Sequence, residues 1–226
     1  MSINLWKRLQ KWAVKSINNK KRWESKMKRS FKDDFNMLSM LLIPIGVAVN
    51  IVGFQIANVL RLPIFLDTIG TILIGVVAGP WVALLAGLIT NLINGIFNPT
   101  YFPYAFTSMA IGLGVGYLSK AGMFKNIPKT IISGIVITFI AVIVSAPITV
   151  LVFGGATGST GSLLTATFLA SGQKIWSAVF ASSFIFEIAD KVVSVLIVYF
   201  IVRKMSDRYL SKMNYGTLYM KREDRQ

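Results

Sequence analysis

Neither cysteine nor histidine occurs anywhere in the 226 residues. Their absence removes disulfides, thiolate nucleophiles, imidazole bases and the usual zinc, haem and iron–sulfur ligand sets. Acids are scarce as well, nine against 24 Lys and Arg, and in the apolar middle of the chain they reduce to Asp67, Glu187 and Asp190. No paired carboxylates, metal set or nucleophile–base constellation emerges, which leaves an enzyme as the least supported class. No Gly is followed at P-loop spacing by Lys-Ser or Lys-Thr, so a phosphate-cradling ATP site is excluded. The first 36 residues are too charged for a secretory signal, and no internal repeat or separate soluble domain is evident.

What is present is apolar. At 54% hydrophobic residues and a mean hydropathy of +0.62, the composition is that of a polytopic membrane protein. A net charge of +15 would suit nucleic acid, but its placement argues against that partner. Residues 1–34 carry 11 Lys and Arg against 3 acids, and residues 203–226 carry 7 against 3. Basic ends around apolar spans are the positive-inside pattern of cytoplasmic segments.

Runs long enough to cross about 30 Å of hydrocarbon predict six helical spans near 37–60, 62–79, 81–97, 104–119, 130–153 and 179–202. Spans two and three are separated by Gly79-Pro80, read as a tight hairpin because Pro80 lacks an N–H and Gly79 tolerates turn dihedrals. Six spans place 21 of the 24 basic residues in inside segments, whereas five would export the basic C-terminal end. The expected fold is therefore an all-α integral membrane protein: a basic segment 1–36, a six-helix membrane domain 37–202 and a basic tail 203–226, with both ends cytoplasmic. Trp6, Leu9, Ala13 and Ile17 at helical spacing among Lys and Arg predict an N-terminal amphipathic helix on the inner leaflet.

Ionisable groups inside a bilayer are costly and become default functional candidates. Asp67 near the outer end of span two is read as a ligand contact or a loop anchor. Glu187 and Lys191, four residues apart, are read as an internal pair in preference to ligand contacts. Asn91 and Asn94 lie on one face of span three, and Gln55 and Asn58 stand in the outer part of span one. With Tyr101, Tyr104, Thr107 and Trp176 they would surround an outer depression suited to a polar, largely uncharged ligand with ring surfaces. Interhelical hydrogen bonding is an equal account of Asn91. The stretch Gly154-Gly-Ala-Thr-Gly-Ser-Thr-Gly-Ser162, with the following residues to Gly172, is read as a flexible outer gate or a short helix without a role. Gly46, Gly53 and Ala57 form a small-residue stripe for helix packing or for docking a partner subunit.

Two segments carry a resemblance: Leu60-Arg-Leu-Pro-Ile-Phe-Leu-Asp-Thr-Ile-Gly-Thr71 and Gly79-Pro-Trp-Val-Ala-Leu-Leu-Ala-Gly-Leu-Ile-Thr-Asn-Leu-Ile-Asn-Gly95. In these, and in its six-span plan, the chain resembles the S components of energy-coupling factor (ECF) transporters. The resemblance implies a multi-pass subunit of the bacterial cytoplasmic membrane that binds a vitamin from outside. It further implies a membrane T component and two ABC ATPases as partners, with ATP used by those partners and no cofactor bound by the chain itself. The family's Ala-xxx-Ala docking motif in span one is unmatched, and Gly53 and Ala57 are its nearest equivalent. The long outer loop, the length of the chain and the few outer charges favour cobalamin as the vitamin, with riboflavin or a queuosine precursor next. A membrane sensor or scaffold without a transported ligand is the alternative from another class.

Overall fold

A computed structural model describes residues 34–60, 62–158 and 160–220. The amphipathic helix expected around Trp6 to Ile17 lies outside the described residues. Those residues form an all-helical bundle: α1 (Met37–Val59), α2 (Ile69–Val77), α3 (Pro80–Phe97), α4 (Ala105–Lys120), α5 (Ile127–Phe153), α6 (Thr160–Ala170), α7 (Ile175–Lys204) and α8 (Asp207–Leu210). Short 3₁₀ turns follow at Pro99–Tyr101 and Gly216–Leu218. By length and composition α1, α3 and α5 can each cross a membrane. The 30-residue α7 is apolar except where Glu187, Asp190 and Lys191 interrupt it.

The helix ends follow local chemistry. Asn36 caps α1, its side-chain oxygen accepting from Ser39 N–H at 2.7 Å. The hairpin read from Gly79-Pro80 forms: Gly79 takes φ +115°, open only to glycine at ordinary cost, and Pro80 opens α3 where no N–H is needed. Gly154, left-handed at φ +62°, ends α5 with its own N–H and that of Gly155 turned back to Val150 and Thr149.

The second span differs from a continuous helix over 62–79. Residues 62–68 are non-helical, and α2 is only nine residues long and buried almost all round. Two distant side chains impose this. Asp190 Oδ1 on α7 accepts the N–H groups of Phe65 (2.9 Å) and Leu66 (2.7 Å), holding Leu66 at φ +52°. Asn50 on α1 then supplies the missing cap of α2, its Oδ1 accepting from Gly70 N–H (2.7 Å) and Thr71 N–H (3.3 Å). The same amide donates to Thr71 Oγ1 at 2.9 Å and Thr90 Oγ1 at 3.0 Å, so one fully buried Asn joins α1, α2 and α3.

The small-residue stripe of α1 is not a free docking face. A Cβ on Gly46 would collide with the Ile74 side chain, and one on Gly53 with the Leu66 carbonyl. Ala57 is 3% exposed. Gly46 and Gly53 face the 62–77 segment, so their small size serves packing inside the bundle.

Residues 205–220, within the basic tail, pack on the bundle. Leu210, Met213, Tyr215, Leu218 and Tyr219 belong to the main core, beside Ile72, Val76, Val77 and Val82. Tyr215 N–H donates to Val77 O (3.0 Å) and its hydroxyl to Asp34 Oδ1 (3.0 Å), while Asn214 donates to Asp34 O (2.9 Å). Ser119 at the end of α4 donates to Val76 O at 2.7 Å and bonds the Tyr219 hydroxyl. The start of α1, the α2–α3 hairpin, the end of α4 and residues 205–220 therefore share one end of the bundle.

Candidate functional site

At the opposite end lies a cavity of about 300 Å³. Its walls come from the end of α1, the 62–68 segment, α3, the 98–104 connection, α4, α5, the 155–165 cover and α7. Of the residues predicted from sequence to surround a ligand, Asn58, Asp67, Asn91, Tyr101 and Tyr104 line it, as does Thr107. Gln55, Asn94 and Trp176 lie outside the lining. Gln55 is exposed, Asn94 is buried elsewhere in α3, and Trp176 is 43% exposed against Phe180. The first half of the 154–172 stretch faces the cavity, through Gly155, Thr157, Gly158, Gly161, Ser162 and Thr165.

Asn91 serves both structure and cavity. Its two amide hydrogens go to Gly87 O (3.1 Å) and Ser108 Oγ (2.6 Å), binding α3 to α4 and leaving the carbonyl oxygen as its remaining polar atom. Tyr104 stacks on Phe153 and bonds Thr149 Oγ1 at 2.7 Å. Because the Thr149 hydroxyl already donates to Ser145 O (3.0 Å), Tyr104 is the donor of that bond and keeps its oxygen as an acceptor. Burial first, then the Asp67 carboxylate, raise the Tyr101 phenol above its ordinary value, keeping it neutral.

The floor holds the ionisable groups of the bundle interior. Lys191 Nζ lies 2.6 Å from Asp190 Oδ2, 3.0 Å from Glu187 Oε2 and 3.9 Å from Asp67 Oδ1. The pair expected between Glu187 and Lys191 forms, but off the direction of a hydrogen bond, and it is one edge of a four-residue cluster. Asp190 is the structural member, since its other oxygen holds the 65–66 backbone. The hydroxyls Ser145, Thr149, Thr165, Ser182 and Ser183 were not singled out from sequence. Isolated Ser and Thr in apolar helices more often bond their own i−4 carbonyl, as Thr149 also does here.

Among the described residues, no group of His, Cys, Asp or Glu is placed to hold a metal ion. The arrangement offers no nucleophile–base pair. It offers a polar, aromatic-walled chamber for binding a small molecule.

No curated protein and no solved structure matches the chain. The model of the family described as ECF transporter, substrate-specific component matches residues 38–202, and the chain belongs to that family: it is a substrate-binding membrane transport subunit and not an enzyme.

Proposed function

We propose that this subunit captures a vitamin or vitamin-sized precursor at the outer face of the bacterial cytoplasmic membrane, for delivery through a T component and two ABC ATPases. The observation that carries the reading is the cavity, which joins aromatic walls, uncommitted polar atoms and a Gly/Ser/Thr-rich cover at one end of the bundle. Partners of this general kind, a T component and ATPases, accompany the family's substrate-specific components.

Six passes with both ends inside remain the topology we favour. The contact of Asp34 with Tyr215 brings both ends of the described bundle to one face, as an even number of passes requires. The Lys and Arg of 1–36, 120–129 and 203–226 make that face cytoplasmic. In this topology α2, about 14 Å long, completes its pass with the non-helical residues 62–68, which can add at most about 20 Å. Non-helical backbone at membrane depth is tolerated where its polar groups find partners, and here the N–H groups of Leu62, Phe65 and Leu66 have acceptors within the bundle.

Cobalamin is the bulkiest of the ligands considered. A chamber of about 300 Å³ stands at the lower end of small-molecule sites, which favours a single ring system of riboflavin or deazapurine size. A corrinoid would require the 155–165 cover to swing away. The decisive experiment is purification of the full chain and identification of co-purifying compounds by absorbance and mass spectrometry, followed by uptake in cells with and without the T component and ATPases. A bound small ring compound and partner-dependent uptake are expected. A protein that binds none of a vitamin panel would be a sensor or scaffold instead.

A further inference from the structure

The ionisable cluster carries more acceptors than donors. An ammonium has three hydrogens, and Lys191, 2% exposed, is surrounded by three carboxylates. Asp190 uses one oxygen on Lys191 and the other on two backbone N–H groups. Asp67 Oδ1 and Glu187 Oε2 accept no hydrogen bond, and both residues line the cavity. By charge, one lysine faces three carboxylates, so Asp67 and Glu187 share a cation that Asp190 already holds at 2.6 Å.

A second observation is independent of charge. Thr68 and Thr107, 1% and 6% exposed, also line the cavity, and their hydroxyls have no hydrogen-bond partner. Buried polar groups are nearly always satisfied, so atoms left over around one chamber point to a bound molecule that completes them. The Asn91 carbonyl and the Tyr104 oxygen add two further acceptors. Around them stand aromatic walls: Phe54 meets Tyr101 edge-on at 5.1 Å, and Phe65 lies 6.5 Å from Phe186.

We propose that the ligand is a small organic cation, whose ammonium or amidinium N–H groups are received by Asp67 and Glu187 while its ring lies against Phe54, Tyr101 and Phe186. The proposal rests on the capture reading and narrows its substrate class. A cation supplies the charge and the donors that the chamber lacks, and gains from the aromatic faces. A neutral ligand would leave Asp67 and Glu187 with only their share of Lys191, and an anion would meet like charge.

The test uses the full chain in detergent. Any co-purifying compound is released by denaturation and its charge at pH 7 is read by electrophoresis. Binding is then measured by calorimetry for four probes that share one ring: benzamidine, benzylamine, benzyl alcohol and benzoate. The released compound is expected to be a cation, and the two cationic probes to bind at least about tenfold tighter than benzyl alcohol, with benzoate weakest. Asp67→Asn and Glu187→Gln should each weaken cation binding by about ten- to a hundredfold, the scale of one lost charge-assisted hydrogen bond, and weaken benzyl alcohol by a smaller factor. A neutral or anionic released compound, or benzyl alcohol binding as tightly as benzylamine, overturns the cation proposal while capture stands. If no compound co-purifies and no probe binds, capture itself falls and this proposal with it. Should both variants fail to fold, the charge of the compound released from the wild type decides.

Discussion

Replacing Asn50 by Leu removes a hub without changing the volume of the core much. Four hydrogen bonds vanish, from 2.7 to 3.3 Å long, and the first-turn N–H groups of Gly70 and Thr71 lose their acceptor. Side-chain hydrogen bonds in membrane bundles average about 0.6 kcal/mol, and a buried amide left unsatisfied costs about 1–3 kcal/mol. The change should therefore destabilise by about 2–5 kcal/mol. At about 2–4 °C per kcal/mol for a chain of this size, the midpoint should fall by about 4–20 °C. Thermal unfolding of the detergent-solubilised protein, followed by tryptophan fluorescence and size-exclusion chromatography, reads this directly. Thr90→Val serves as the internal comparison: it removes one bond of the four and the bond to Ala86 O, leaves one Asn50 amide hydrogen unsatisfied, and should cost about 1–3 kcal/mol, less than Asn50→Leu. An Asn50→Leu midpoint within about 2 °C of wild type, less than 1 kcal/mol on the same scale, would refute the view that α2 depends on a cap supplied by its neighbour.

Gly70→Ala should destabilise more than Gly46→Ala in the same assay, because the Gly70 Cβ meets the Gly46 backbone whereas the Gly46 Cβ meets the movable end of Ile74. Tyr215→Ala should cost about 3–5 kcal/mol as a large core truncation. Tyr215→Phe, which loses the bond to Asp34 alone, should cost about 1.5–3 kcal/mol; equal midpoints for the two variants would remove residues 205–220 from the core. Asn94→Ala should keep wild-type ligand affinity by calorimetry, since Asn94 lies outside the cavity lining, and a large loss would return it to the site. Single cysteines in this cysteine-free chain should label from outside at Thr100 and only from inside at Asn126 and Met220; outside labelling at Met220 would end the six-pass topology.

Much of this was legible in the sequence because it depends on local chemistry. The Gly79-Pro80 hairpin needs only the dihedral preferences of two residues, and the long apolar runs declare α1, α3 and α5 by length. Asn58, Asp67, Asn91, Tyr101 and Tyr104 converge on the cavity because helix phase and the order of passes suffice to place them at one end. The break at 62–68 was not legible. Leu62 to Leu66 is as apolar as a helix, and the groups that unwind or cap it, Asp190 and Asn50, stand more than a hundred residues later and twenty earlier. Hydropathy also sees the size of Gly46 and Gly53 but not which neighbour that size admits. The packing of the tail was not legible for a related reason: the apolar residues that bury it, from Leu210 to Tyr219, show no run long enough to register.

That tail carries a consequence for assembly. Residues 205–220 leave the ribosome after α7, yet they supply the Tyr215 ring beneath Gly79, the bond to Val77 and the clamp on Asp34. Until they arrive, the α2–α3 hairpin and the start of α1 face an unfilled space, whatever order the earlier helices entered the bilayer. Insertion and closure are thus separate events. A chain stalled or cut before Leu210 can hold its passes in the membrane and still lack the wedge that joins its first helix to its second and third.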